Sequence, residues 1–249
     1  MLGFRVSNLR LIYRLSYIFS ALPHSSSARP KIFYGLIDLV VGLDKKYLLV
    51  PYISKAEQIL PWGSMTLDEK VEAYQHLFKL VKGGKGSEEN PLLYSETIQF
   101  IKLFSDVAKD EILKHKNAIS AAIIDLIANN EYLFEIGELS QLKQIQAVTE
   151  DSASLKLLLK AIIQGSIQDC QEVYAKNEGL KAAGVSLEDL KEKTRLTKIT
   201  ALATQNQKLS FDELAQELVC DPSEVEFLFI SSIEHGFIDA LIDQNSQSV

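Results

Sequence analysis

The chain has 249 residues, 47% of them hydrophobic and 24% charged, with a formal net charge of −7. That length allows one large core or two modest ones, and the only two cysteines, Cys170 and Cys220, form neither a disulfide framework nor a C-x-x-C, which points to a reducing compartment. No apolar run approaches the roughly 18–20 residues that a membrane span requires, so no membrane partner is expected.

Charge is unevenly spread. Residues 1–50 hold seven basic and two acidic side chains, and no acid precedes Asp38; residues 201–249 hold one basic and nine acidic. Arg5, Arg10, Arg14 and the Ser25-Ser26-Ser27 tract imitate a transit peptide. Leu9, Ile12, Tyr13 and Leu15 are better explained as a helix that packs on the next one. Helices are predicted over about 7–21 and 30–42, the second opening at Pro30 and closing near Gly42. Tyr47–Tyr52 is apolar but broken by Pro51, and a short helix, Ile53–Ile59, stops at Pro61-Trp62-Gly63. Thr66-x-x-Glu69 has the form of a capping box for a helix over about 67–82. Lys82-Gly83-Gly84-Lys85-Gly86-Ser87 is a connection. A helix from Asn90-Pro91 to about Val107 follows, then one or two within Asp110–Ala128 ending at Asn129-Asn130. Leu133–Ile145 is a loop with a short helix, and Ser152–Gly165 and Ile167–Asn177 form an antiparallel pair. Helices of this length on short connections, with no strand between them, predict a helical-repeat (solenoid) body over 1–185.

Ser186 to Asp243 changes character. Ser186-x-x-Asp189, Ser210-x-x-Glu213 and Asp221-x-x-Glu224 all have the form of capping boxes, Pro222 stands at a first helical position, and Gly236 stands where a helix ends. The helix over 187–204 has two apolar sides: Leu187, Leu190, Thr197 and Ala201 on one, Leu196, Ile199 and Ala203 on the other. Such a helix is sandwiched between layers. After Gly236, Ile238, Ala240 and Ile242 alternate with Asp239, Leu241 and Asp243, the period of a half-buried strand over 237–243. Because the sequence stops at Val249, the strand returning to it is expected to be nearly missing, leaving an open edge. The order of elements is that of a winged helix over 186–249, truncated in its wing and with a short β-hairpin.

A winged helix suggests DNA, but Leu209 to Val249 contains no Lys or Arg and nine carboxylates. The helix that would enter a groove begins Pro222-Ser223-Glu224-Val225-Glu226. Nucleic-acid affinity rests largely on cations that displace phosphate counterions, so binding here is expected to be weak or absent. Phe227 and Ile230 lie opposite Val225, Leu228, Phe229 and Ser232 on that helix, where an isolated winged helix would face water. Phe227, Ile230, Glu234, Asp239, Leu241 and Asp243 are therefore the candidate protein-contact residues.

Nothing indicates catalysis. Gly83-Gly84-Lys85-Gly86-Ser87 lacks phosphate-loop spacing and follows a helix rather than a strand. His24, His76, His115 and His235 show no metal-ligand spacing, and His235 with Asp239 is explained by a helix end before a strand. No nucleophile motif surrounds either cysteine. Glu88-Glu89 and Glu188-Asp189 suit helix N-termini. Lys191, Arg195 and Lys198 form a stripe that reads as a solvated face. No cofactor and no metal are expected.

Helical repeats that run through a shared helix into an acidic winged helix resemble the PCI domain, found in the proteasome lid, the signalosome and eukaryotic translation initiation factor three. The likeness rests on Arg10-Leu11-Ile12-Tyr13-Arg14-Leu15, the Tyr52–Trp62 segment and Leu133-Phe134. It is most specific in Leu190-Lys191-Glu192-Lys193-Thr194-Arg195-Leu196-Thr197, Ile199-Thr200-Ala201-Leu202-Ala203, Lys208-Leu209-Ser210-Phe211-Asp212 and Val225-Glu226-Phe227-Leu228-Phe229-Ile230. The resemblance implies a cytoplasmic, non-catalytic scaffold that joins other PCI subunits winged helix to winged helix. Its complex is expected to be the initiation factor, whose contact with the 40S ribosomal subunit is then indirect, or else the signalosome or proteasome lid. A nucleic-acid-binding winged helix protein is the third alternative.

Overall fold

The computed structural model describes residues 2–81, 91–128, 135–182, 184–204, 208–234, 236–245 and 248–249. The Gly83–Ser87 connection, Glu88-Glu89, Asn129-Asn130, Leu133-Phe134 and His235 lie outside these residues. The described residues are helical, with no strand among them. They divide into two compact units, Met1–Val107 and Ala108–Val249.

In the first unit, α1 (Leu2–Ala21) packs on α2 (Ala28–Gly42), and α2 in turn on α4 (Leu67–Val81). Between α2 and α4 lie three 3-10 turns, Lys46–Leu48, Val50–Lys55 and Trp62–Ser64, and a single turn, α3 (Ala56–Ile59). The tighter winding from Lys46 onward follows from Pro51, whose missing N–H breaks the α-helical ladder. Thr66 and Glu69 close the expected capping box: the Thr66 amide donates to Glu69 Oε2 at 2.8 Å, and the Glu69 amide to Thr66 Oγ1 at 3.3 Å. A run of rings, Tyr74, Phe78, Phe100 and Phe104, joins α4 to α5 (Pro91–Lys102) with centroids 5.5–6.2 Å apart. Arg29 is buried because it holds two helix ends together, donating to Leu22 O just past α1 at 2.7 Å and to Ile59 O at the end of α3 at 2.9 Å, against the Phe19 ring.

The second unit begins with α6 (Lys109–Lys114), α7 (Lys116–Ala128), α8 (Glu135–Leu139) and α9 (Lys143–Asp151). α10 (Ala153–Gln164) and α11 (Ile167–Lys176) pack against each other, and both pack on α13 (Leu187–Ala203), which follows the single turn α12 (Glu178–Ala182). α13 also touches α14 (Phe211–Leu218) and α15 (Pro222–Glu234), so it is the sandwiched element its two-sided pattern predicts. Its composition by side differs from the prediction: Ala201 is exposed, and the buried set is Leu190, Lys193, Thr194, Leu196 and Ile199. Beyond α13, a cluster of Ile199, Phe211, Leu214, Ala215, Leu218, Val225, Leu228 and Phe229 forms its own core.

The capping boxes of α13 (Ser186, Asp189) and α14 (Ser210, Glu213) are both complete. That of α15 is not. Asp221 Oδ1 accepts from the Ser223 amide at 2.9 Å and from its hydroxyl at 2.6 Å, while Glu224 turns toward Arg195. One carboxylate already satisfies the first turn, and Glu224 Oε2 lies 4.0 Å from Arg195 Nη1 instead. Gly236 ends α15 at φ +71°, with the Phe237 amide reaching back to Ser232 O.

The expected hairpin strand over 237–243 is not formed. Two isolated antiparallel bridges stand instead, Asp243–Ser248 and Ser210–Ser248. Asp243 and Ser248 exchange both backbone hydrogen bonds at 2.9 and 3.1 Å, and Leu209 and Val249 exchange theirs at 3.0 Å. Among the described residues the returning segment pairs through Ser248 and Val249 alone, seated between 209–210 and 243. With pairing confined to these few residues, the ladder is too short to count as a sheet. Residues 238–242 keep the alternation without the ladder: Ile238 and Ile242 pack on the core cluster, while Asp239 and Leu241 are exposed.

Candidate protein-interaction surface

α15 presents two sides because its apolar residues are spread around its axis. Val225, Leu228, Phe229 and Ser232 are buried, whereas Phe227 is 68% exposed and Ile230 40%. Glu234 is exposed on the same outer side, one turn beyond Ile230. The sequence places all three there, since residues three and four apart share a helix face.

Asp239, Leu241 and Asp243 form a second patch. Leu241 is 90% exposed. All three line an open groove of about 740 Å³, together with Leu202, Leu209, Leu214, Phe229, Ala240 and Val249. Leu214 and Phe229 are buried, so they form its floor; the two acids and Leu241 stand along its rim. Phe227, Ile230 and Glu234 are not among its lining residues. The six candidates are thus two neighbouring patches rather than one site, tied where Gln244 Nε2 donates to Glu226 Oε1. Residues 238–242 make no backbone hydrogen bond to another described residue.

Behind these patches, cations brace the joint that sequence reasoning treats as solvated. Arg195 Nε donates to Leu218 O at 3.1 Å and Nη2 to Val219 O at 2.9 Å, closing the carbonyl end of α14. Its Nη1 lies 4.0 Å from Glu224 Oε2 at the start of α15. A guanidinium suits this place because its fork can take two carbonyls at once while it faces the negative end of a helix dipole. Lys198 pairs with Glu217 at 2.9 Å. The stripe Lys191, Arg195 and Lys198 is correctly spaced for one side of α13, but much of that side is the face to α14. Helix period alone does not say which side is covered. Lys193 is missed entirely: it is 2% exposed and donates to the carbonyl of Ile127.

Cys220 and Cys170 are pushed above the ordinary thiol range, chiefly by burial. Cys170 Sγ lies 3.0 Å from Thr194 Oγ1 between α11 and α13. Both are held as thiols, the form with little nucleophilic character. Among carboxylates, Glu213 and Asp221 are held below their usual range by hydrogen bonds from Ser210 and Ser223, as helix caps should be.

Val219 ends α14 at φ +50°, ψ +54°, the left-handed region where a β-branched side chain is strained, and it is 49% exposed. Its amide and that of Cys220 reach back to Gln216 O and Ala215 O, the pattern usually completed by glycine or asparagine. Val219→Asn is expected to raise stability by about 0.5–1 kcal/mol, seen as a melting point roughly 1–4 °C higher. An unchanged or lower melting point would show that the valine side chain packs better than its exposure indicates.

Residues 167–249 match the PCI domain family. Over 236 residues the chain is 22% identical to the eukaryotic translation initiation factor 3 subunit M of Nematostella vectensis, covering 94% of this chain and 60% of that protein. It is 21% identical over 238 residues to the subunit M of Dictyostelium discoideum, covering 94% and 58%. With that of Xenopus tropicalis it shares 24% over 239 residues, covering 94% and 61%. The chain spans about three fifths of the length of the curated relatives it matches. The residues that match the PCI domain family, 167–249, run from α11 through the joint helix α13 to the acidic C-terminal cluster.

Proposed function

We propose that the chain is a non-catalytic scaffold subunit of the eukaryotic translation initiation factor 3 complex, acting in the cytoplasm. It supports translation initiation by joining other PCI subunits, and any contact with the 40S ribosomal subunit is made indirectly through that complex. Residues 186–249 are its winged helix and 1–185 its helical-repeat region. The order α13, Leu209-Ser210, α14, α15, Asp243, Ser248-Val249, with Ser248-Val249 paired on both sides, supports the winged-helix assignment. The likeness to subunit M over 94% of the chain supports the choice of complex.

The observation that carries the proposal is the exposed apolar pair Phe227 and Ile230 on a helix whose surroundings hold acids and, from Leu209 onward, no Lys or Arg. Such a surface repels phosphate and leaves aromatic area for a protein partner. Glu234, Asp239, Leu241 and Asp243 extend the contact, the acids selecting a partner of opposite charge, and the unpaired backbone of 238–242 accepting an added strand.

Affinity purification of the tagged chain with mass spectrometry is expected to recover initiation factor 3 subunits. Recovery of signalosome or proteasome-lid subunits in their place would refute the choice of complex. Phe227→Asp is expected to weaken association with the neighbouring PCI subunit at least 30-fold, because an unpaired carboxylate buried at an interface costs several kcal/mol. Its circular dichroism and melting point should match the parent, since the side chain lies off the core. Undiminished association with the fold intact would remove α15 from the interface.

A further inference from the structure

The first helix carries a second exposed face of different chemistry. Arg10, Leu11, Tyr13, Arg14, Tyr17 and Ile18 recur at helical spacing on the side away from buried Ile12, and all six are exposed, Tyr13 to 74% and Tyr17 to 77%. Neither arginine meets a carboxylate among the described residues, and no acid precedes Asp38 in the chain. Tyrosine and arginine are the side chains that dominate the centres of protein interfaces, and lysine, which would serve a phosphate backbone as well, is absent from this helix. Two arginines also make too few phosphate contacts to hold RNA at physiological salt. The fitting occupant is an acidic helix with an exposed aromatic and an aliphatic side chain.

The chain displays such a helix. On α15, Glu226, Phe227, Ile230 and Glu234 lie on one side, with Phe227 and Ile230 exposed. Arg10 to Ile18 and Glu226 to Glu234 each rise about 12 Å, so the two stripes match in length. We propose that the α1 face of one copy takes the α15 face of a second copy. The two faces are unlike, so the association is head-to-tail, and each pair keeps one face of each kind free, on different copies, for the next. About two helical turns on two turns is well below a standard interface, and the contact is weak. Because it uses Phe227 and Ile230, it competes with a PCI partner for the same face.

Sedimentation equilibrium of the intact chain tests this. The weight-average mass is expected to exceed the 27.9 kDa of one chain and to climb with concentration, and to fall back as salt is raised from roughly 50 to 500 mM. Tyr17→Glu removes one face and Phe227→Asp the other, so each variant alone should be monomeric. Their equimolar mixture should form a heterodimer, since each retains the face the other lacks. Arg14→Glu, which adds no bulk to the fold, should repeat the result of Tyr17→Glu. A monomer at all concentrations, or a mixture that stays monomeric, overturns the proposal. So does association lost in Tyr17→Glu but kept in Phe227→Asp, which would mean that like faces pair. Tight binding of a 20-nucleotide uridine-rich RNA near 150 mM salt, lost in Tyr17→Glu, would assign the α1 face to nucleic acid instead. None of these outcomes depends on recovering a PCI partner, so failure here and failure of the scaffold assignment are separable.

Discussion

Gly165→Ala is expected to lower stability by about 2–4 kcal/mol. Gly165 ends α10 at φ +67°, and a methyl group there meets the left-handed penalty of about 1–2 kcal/mol. The larger effect is contact. A Cβ at this position would stand 2.9 Å from Lys198 Cβ and 3.1 Å from Lys198 Cα. The second of these is backbone and cannot swing away, so α10 and α13 must separate along a packed face, with the loss typical of overpacking. Gly184→Ala is the control, since Gly184 has φ +80° but no atom within 4 Å of its added Cβ. It should lose only the conformational part. Denaturant unfolding of both variants measures the difference; equal losses would mean that the close approach of α13 exerts no constraint. The result bears on function because α13 is the element shared by the repeat helices and the acidic cluster.

What the sequence discloses here is what chemistry within a few residues decides. The capping boxes at Ser186 and Ser210 are legible because both partners lie three residues apart, and the outward placing of Phe227 and Ile230 follows from helical period alone. In the third box Ser223 takes the Asp221 carboxylate, and Glu224 lies instead near Arg195, 29 residues away. The same distance in sequence hides the braces on α14 and the burial of Lys193, whose acceptor is Ile127. A charged residue on a helix reads as solvated unless a distant chain segment is known to cover it. The wing shows a third case. Alternation at Ile238, Ala240 and Ile242 encodes which side faces in, but ladder formation depends on residues opposite, and among the described residues only Ser248 pairs with this segment, at Asp243. Val219 gave no warning, since its left-handed backbone is set by the helix end rather than by its own preference.

Lys193 offers the sharpest test of the joint between α13 and α7. Burial, opposed by Asp189 and then Glu192, lowers its pKa from 10.5 to about 8. At neutral pH the ammonium is still charged, and it donates to the Ile127 carbonyl near the C-terminal end of α7, where the helix dipole favours a cation. The sign follows from linkage. Below pH 8 both folded and unfolded states carry the proton, and the buried charge opposes folding in full. Between about 8 and 10.5 the unfolded chain binds more protons than the folded one, so stability contributed at this site rises with pH. Above 10.5 both are neutral and the opposition is gone. The whole swing is about 3 kcal/mol, at about 1.4 kcal/mol for each pH unit of difference. Lys193→Met keeps the length of the stem without the charge. Near pH 7 its stability should stay within about 1–2 kcal/mol of the parent, since a relieved charge offsets an unpaired carbonyl. From pH 8 to 10 the parent should gain on the variant, other titrating groups cancelling in the difference. Parallel curves across that range would mean that Lys193 keeps its proton in the folded protein, with the α7 carbonyl end holding it charged against burial.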